Sequence, residues 1–220
     1  MSERTTGRIH FHNGDVFQVA LPEGFFAYGR ILLDLRRIAR AGLFATSCAL
    51  SGICGSALLV RLYKKAFHDP AISLADLSDC PSFLDELLDR RSIYRGKYPI
   101  VGNLPVSQRE LDFPEYVHSF HDNAVSHFSY QKGGSVAKLT MTYKEYDSFP
   151  KPSFSLGYAV DHLLAEIHDP AGTVKHARGE LRVDPRRNSV LARVGLRPGM
   201  SYDEICAKAG GPSAEKLLAV

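Results

Sequence analysis

Residues 14–33, GDVFQVALPEGFFAYGRILL, constrain the fold of this chain more than any other segment. Two β-rich runs flank Leu21-Pro22-Glu23-Gly24, a spacing that predicts a hairpin. Pro22 presets the φ of the second turn position, and Gly24 can take the positive φ required where a type I turn runs into a bulge. Phe17, Val19 and Leu21 share one face, and Val16, Gln18 and Ala20 the other. In the return strand Phe26, Tyr28, Arg30 and Leu32 alternate with Phe25, Ala27, Gly29 and Ile31. Both faces are substantially apolar. A hairpin that must be buried on both sides belongs in a strongly bent antiparallel sheet or a small barrel, rather than in an open sheet with one wet face.

Around this hairpin the pattern predicts an α+β, strand-dominated fold with a few short helices. Helices are expected at 33–41, with Arg36, Arg37 and Arg40 outward, and at 157–168, where Val160, Leu163, Leu164 and Ile167 recur at helical spacing. Another is expected to start at Ser82, with Phe83, Leu84, Leu87 and Leu88 as its apolar stripe. A last one is capped by Ser201 and Glu204 and ends at Gly210-Gly211. Strands are expected at 57–64, 97–106, 115–120, 127–130 and 137–143, the last two joined by a turn at Gly133-Gly134. A length of 220 residues suits one strand-rich domain. Its expected extent is 8–220, with a core over 8–170 and a basic C-terminal extension, carrying a short helix, over 171–220.

The net charge of +3 is too small for the electrostatic footprint of a nucleic-acid or membrane-surface binder. Its distribution says more. Asp69, Asp76, Asp79, Asp85, Glu86 and Asp89 follow one another with no Lys or Arg among them, whereas Lys175, Arg178, Arg182, Arg186, Arg187, Arg193 and Arg197 outnumber Glu180 and Asp184 near the C-terminus. The acids are expected to face water or a partner, and Arg186-Arg187 to form a solvated basic loop. Cys48, Cys54, Cys80 and Cys206 show no C-x-x-C spacing, and residues 1–7 show no secretory apolar segment, so a reduced, cytoplasmic protein is expected. The uncharged run between Arg40 and Arg61 reaches the roughly 20 residues that span a bilayer. Its Gly, Ser and Thr content and its symmetric basic flanks favour buried strands or a core helix instead.

No P-loop, G-x-G-x-x-G, G-x-S-x-G or H-E-x-x-H occurs. Three histidines, His118, His121 and His127, stand near Asp122, a composition that could ligate a first-row metal although the spacing is no recognised metal signature. Exposed turn histidines are the simpler account. A metal-dependent enzyme built on this region, a nucleic-acid-binding small barrel and a membrane-tethered protein are the alternatives to a protein-binding role.

Gly14-Asp15-x-Phe17-x-Val19-x-Leu21-Pro22-x-Gly24, then Tyr28-Gly29-Arg30-Ile31-Leu32, and later Tyr98-Pro99-Ile100-Val101-Gly102 with Pro105, resemble the immunity protein 26 family of bacterial polymorphic toxin systems. The resemblance implies a mostly β fold, no enzymatic activity, no cofactor, and a cognate toxin encoded next door, often a nuclease. No small-molecule substrate, nucleic acid or membrane is expected as a partner. The family supplies no functional motif that transfers residue by residue; Asp15 and Arg30 are expected to shape the hairpin. A nuclease is basic where it meets phosphate, which nominates Asp76, Asp79, Asp85, Glu86 and Asp89 as the toxin-facing surface.

Overall fold

The computed structural model describes residues 11–44, 48, 56–122, 125–149, 157–168 and 180–220, with the side chains at 120–122, 125, 126, 157, 158, 162 and 166 left out. Strands β1 (Asp15–Ala20) and β2 (Phe26–Asp34) form the predicted hairpin, pairing Val16 with Arg30 and Phe17 with Gly29. At its tip Gly24 takes φ 76° as expected, and Glu23 joins it at φ 60°. Helix α1 (Leu35–Arg40) follows directly, its first turn capped by the Asp34 carboxylate, which accepts from Arg36 N–H at 3.0 Å. Strand β3 (Ala57–Leu62) pairs with β2, and β4 (Glu86–Asp89) pairs with β3. Strand β5 (Ile100–Asn103) pairs with β1, giving an antiparallel sheet ordered β4-β3-β2-β1-β5. Register shifts between Ile31 and Leu33, and between Val16 and Phe17, add the bulges that bend it.

A second sheet, β6 (Glu115–Asp122), β7 (Val125–Lys132) and β8 (Ser135–Leu139), is a three-stranded meander. Its β7–β8 turn is Gly133-Gly134, and Gly133 has φ 56°. Two separate sheets replace the barrel alternative. Closure would require β4 to meet β5, but β4 abuts the second sheet and its flanking loops instead.

The first sheet is buried on both faces, as its sequence requires. One face packs Phe17, Val19, Ile31, Leu58, Val60 and Leu88 beneath Ala159 and Leu163 of the helix Gly157–His168. The other packs Val16 and Tyr28 beneath Leu77, while Leu33, Leu59 and Leu87 merge with Phe113, Tyr116 and Tyr202 to join the two sheets. At roughly 25 cal/mol per Å² of apolar area, each such aliphatic residue contributes on the order of 2 kcal/mol.

Four expectations are corrected. The helix expected from Ser82 is a strand: Phe83 N–H bonds Leu62 O at 2.9 Å, and Leu87 and Leu88 are both buried, one on each face of β4. Apolar residues at 83, 84, 87 and 88 fit a helical stripe and a two-sided strand equally, and the waiting edge of β3 decides. Strand β8 stops at Leu139, because Thr142 and Glu145 form a capping box that opens the short helix Tyr143–Asp147. The C-terminal segment holds Arg187–Arg193, Tyr202–Ala209 and Ala214–Leu218 rather than one short helix; Ser213 caps the last. Its arginines are not a solvated loop: Arg187 pairs with fully buried Glu115, and Arg186 pairs with Asp184 and stacks on Phe149 at 4.0 Å. Most of the uncharged run, including Cys54, lies outside the described residues. Among those described, no helix is long and apolar enough to cross a membrane.

Gly29 illustrates how tightly the hairpin is built. A Cβ there would stand 2.3 Å from Phe17 Cζ and 2.9 Å from Arg61 O, so the Phe17 ring occupies the space a side chain would need. Gly29→Ala is expected to lower the unfolding free energy by about 2 kcal/mol or more, measured by urea denaturation. A change below about 0.5 kcal/mol would show that the ring can retreat.

Candidate functional site

Arg30 and Arg61 stand directly opposite each other across β2 and β3. Like charges in that relation repel, and the fold places carboxylates to bind both. Glu110, on the short helical turn Gln108–Glu110 capped by Ser107, accepts from Arg30 and from Arg61 Nη1. Arg61 also grips Asp85 in a bidentate pair, Nε to Oδ1 at 2.7 Å and Nη2 to Oδ2 at 2.9 Å. Such a fork-to-fork pair is the strongest common ionic geometry.

The ladder continues into the C-terminal segment. Arg182 Nη2 donates to Asp85 O at 2.6 Å and to Glu180 Oε2 at 2.9 Å, while its Nη1 donates to Asp112 Oδ2 at 2.7 Å. Lys132 Nζ bridges Asp112 Oδ1 at 2.7 Å and Glu115 Oε1 at 3.2 Å. Arg187 closes the far end with a bidentate grip on Glu115, Nε to Oε2 at 2.7 Å and Nη2 to Oε1 at 2.8 Å. Five carboxylates (Asp85, Glu110, Asp112, Glu115, Glu180) therefore meet five cations (Arg30, Arg61, Lys132, Arg182, Arg187) along the seam between the sheets. Burial works against the charged form of Glu115, yet Arg187 and Lys132 hold its carboxyl below the usual range. Arg182 is likewise held charged against its own desolvation by Glu180 and Asp112.

Glu86 is the exception. It lies half-buried beside this ladder and makes no ion pair among the described residues; burial pushes its carboxyl up to about 7, against a partial pull from Arg182 and with a further push from Glu180.

The five acids nominated from sequence do not form one surface. Asp85 is 1% exposed and committed to Arg61, which corrects its assignment to a partner-facing patch. Glu86 sits in the seam, and Asp89 is held by Arg91 at 2.5 Å. Asp76 and Asp79 are exposed, on and just after the helical turn α2 (Ala75–Ser78), which Leu77 anchors in the core. Neither has an ion-pair partner among the described residues.

The histidine region offers no metal centre in what is described: no group of three His, Cys, Asp or Glu that could hold a metal ion occurs among the described residues, while the side chains of His121 and Asp122 lie outside them. Burial lowers the pKa of His118, which favours its neutral form. A cleft of about 580 Å³ opens between Gln108–Asp112 and the start of the helix Tyr202–Ala209. Its floor is the Asp112–Lys132 pair, whose charges already satisfy each other.

The motif residues shape the hairpin and its neighbours. Gly14, at φ 94°, lets the chain pass 2.4 Å from where its Cβ would meet Leu104 O. Asp15 accepts from His12 N–H and from Asn103 Nδ2, tying β1 to β5. Tyr28, fully buried, donates from its hydroxyl to Pro70 O at 2.9 Å. Arg30 binds Pro105 O and Glu110, Pro99 O receives Gln18 N–H at 2.9 Å, and Gly102 leaves room for Leu74. A comparison with protein families finds Immunity protein 26 matching residues 12–127. The chain belongs to the immunity protein 26 family. No curated protein and no solved structure matches it. The family match takes in Arg30, Arg61, Asp85, Glu110, Asp112 and Glu115, while Lys132, Glu180, Arg182 and Arg187 lie beyond its end. Four of the ten charges in the seam thus come from sequence outside the family segment. Sequence reasoning missed the ladder; the arginines at 30 and 61 inside apolar strands were its one local signal.

Two measurements test this account. Asp85→Ala leaves Arg61 buried and without its main partner, and is expected to cost about 3–5 kcal/mol in urea denaturation; a loss under about 1 kcal/mol would show that the pair is dispensable. Glu86, whose carboxyl is raised in the folded state, contributes stability below the unfolded range near 4.5 that is lost as pH rises through about 7. Glu86→Gln is expected to remove about 2 kcal/mol of the decline between pH 5 and pH 8; parallel stability curves for the two proteins would refute the assignment.

Proposed function

We propose that this immunity-family protein neutralises a cognate toxin by stoichiometric binding, covering the toxin's active or substrate-binding face rather than performing chemistry. The family match over residues 12–127 carries the proposal. The charge arrangement supports it: the arginines that a nucleic-acid binder would turn outward, Arg182 and Arg187, are spent on internal carboxylates. Asp76 and Asp79 are exposed carboxylates that have no ion-pair partner among the described residues. A toxin that acts on nucleic acid is basic where it meets phosphate, and carboxylates offered there speed association and block substrate. The proposed partner is therefore a nuclease, and the proposed surface centres on Asp76 and Asp79, with Asp85 removed from it and Glu86 and Asp89 at most peripheral.

Co-expression with the product of the neighbouring toxin gene is expected to abolish its toxicity and to yield an equimolar complex. Asp76→Lys with Asp79→Lys is expected to slow association about tenfold at low salt, measured by stopped flow, and to flatten the salt dependence. An unchanged association rate would remove these two residues from the interface.

A further inference from the structure

The ladder in the seam is electrically complete without Glu86, its five carboxylates balancing its five cations. Ionised, Glu86 is a sixth carboxylate in a half-buried place, and it makes no ion pair among the described residues. Burial, against a pull from Arg182 and with a push from Glu180, favours its protonated form.

The groups around Glu86 show what its ionisation disturbs. Arg182 and Glu180 act on it from the C-terminal segment, and the buried Tyr116 lies within its electrostatic range on β6. On β3 it stands opposite apolar Val60. On its own strand, Asp85 gives its carboxylate to Arg61 and its carbonyl to Arg182, so this guanidinium is fastened to the peptide unit that joins Asp85 to Glu86. Four of the five N–H donors of Arg182 are used: Nη1 serves the carbonyl and carboxylate of Asp112, and Nη2 serves the Asp85 carbonyl and Glu180. The fifth, on Nε, is buried without an acceptor. A guanidinium with one idle donor therefore stands within electrostatic range of a carboxyl with no ion pair.

Glu180 in turn holds two backbone amides. Its Oε1 accepts Glu115 N–H at 2.8 Å, at the start of β6, and Arg182 N–H at 3.1 Å, at the start of the helical turn Leu181–Val183. The C-terminal segment is thus tied to β6 through Glu180 and to β4 through Arg182.

We propose that Glu86 is a proton-operated latch on the C-terminal segment. Protonated, it leaves Arg182 to Glu180 and the segment stays docked. Ionised, it draws the guanidinium through the idle Nε–H and repels Glu180, which releases the amides of Glu115 and Arg182. The only bond broken is the carboxyl O–H, whose proton passes to water. The latch is closed where Glu86 is protonated and opens as pH rises through the range in which it ionises.

Hydrogen exchange at the Glu115 and Arg182 amides, followed by NMR on the full chain and expressed as protection factors, reads the latch directly. From pH 6 to pH 8 both protection factors are expected to fall at least about tenfold, and at pH 8 to lie at least about tenfold below those of the β1–β2 hairpin. Glu86→Gln keeps the shape but cannot ionise, and is expected to hold both values within about twofold over the same range. In the wild-type chain the midpoint of the fall is expected to coincide with that of the Glu86 side-chain carboxyl resonance, a reading that needs no variant. Unchanged protection between pH 6 and pH 8, a fall that persists in Glu86→Gln, or a midpoint more than about one pH unit from the Glu86 titration overturns the latch. Equal protection of the two amides and the hairpin at pH 8 means that they open only with the whole fold, and overturns it as well.

Discussion

The bidentate pair between Arg61 and Asp85 governs how the two halves of this structure meet. Arg61 projects from the middle of a largely apolar sheet, directly opposite Arg30. Two guanidinium groups so placed would cost several kcal/mol each if left without partners. Asp85 meets one, Glu110 meets both, and Arg182 then binds the backbone of Asp85 while reaching Asp112. Each group added to relieve one buried charge brings the next segment into place. The β3–β4 connection, the Gln108–Glu110 turn, the second sheet and the C-terminal segment are thus positioned by one neutral ladder. A buried ion pair is weak evidence for net stability, because well-packed apolar residues often do as well. Its effect here is registration: the ten charges are matched to one another across the joint between the sheets.

That arrangement also explains which charges are left for a partner. The acidic and basic segments seen along the sequence look like two faces of a polarised molecule. In three dimensions the basic segment is neutralised by acids outside the acidic stretch: Arg182 meets Asp112 and Glu180, and Arg187 meets Glu115, while the Asp85 carboxylate is held by Arg61. What remains outward from the acidic stretch includes Asp69, and Asp76 and Asp79 on and just after a short turn held by Leu77. Most of the family motif, by contrast, is architecture. Gly14, Gly29 and Gly102 are places where a Cβ would collide with a carbonyl, a ring or a leucine, and Asp15 and Arg30 fasten the hairpin to the strand and loop beyond it.

The sequence by itself determined the N-terminal hairpin, the strand at 57–62, the two strands around Gly133-Gly134, and the helices at 157–168 and 202–209. In each of these the pattern is local: alternation, a turn with Pro and Gly, a capping box. The box at Thr142 and Glu145, which the strand expected over 137–143 overran, marks the true end of β8. The tertiary structure alone decided that residues 86–89 form a strand, because an apolar quartet compatible with either element becomes a strand when an unpaired edge of β3 lies within reach. It alone decided which acids are internal. Whether an aspartate faces water or an arginine depends on a residue up to 70 positions away, as between Asp112 and Arg182, and nothing in the composition of a segment records a contact made at that distance along the chain.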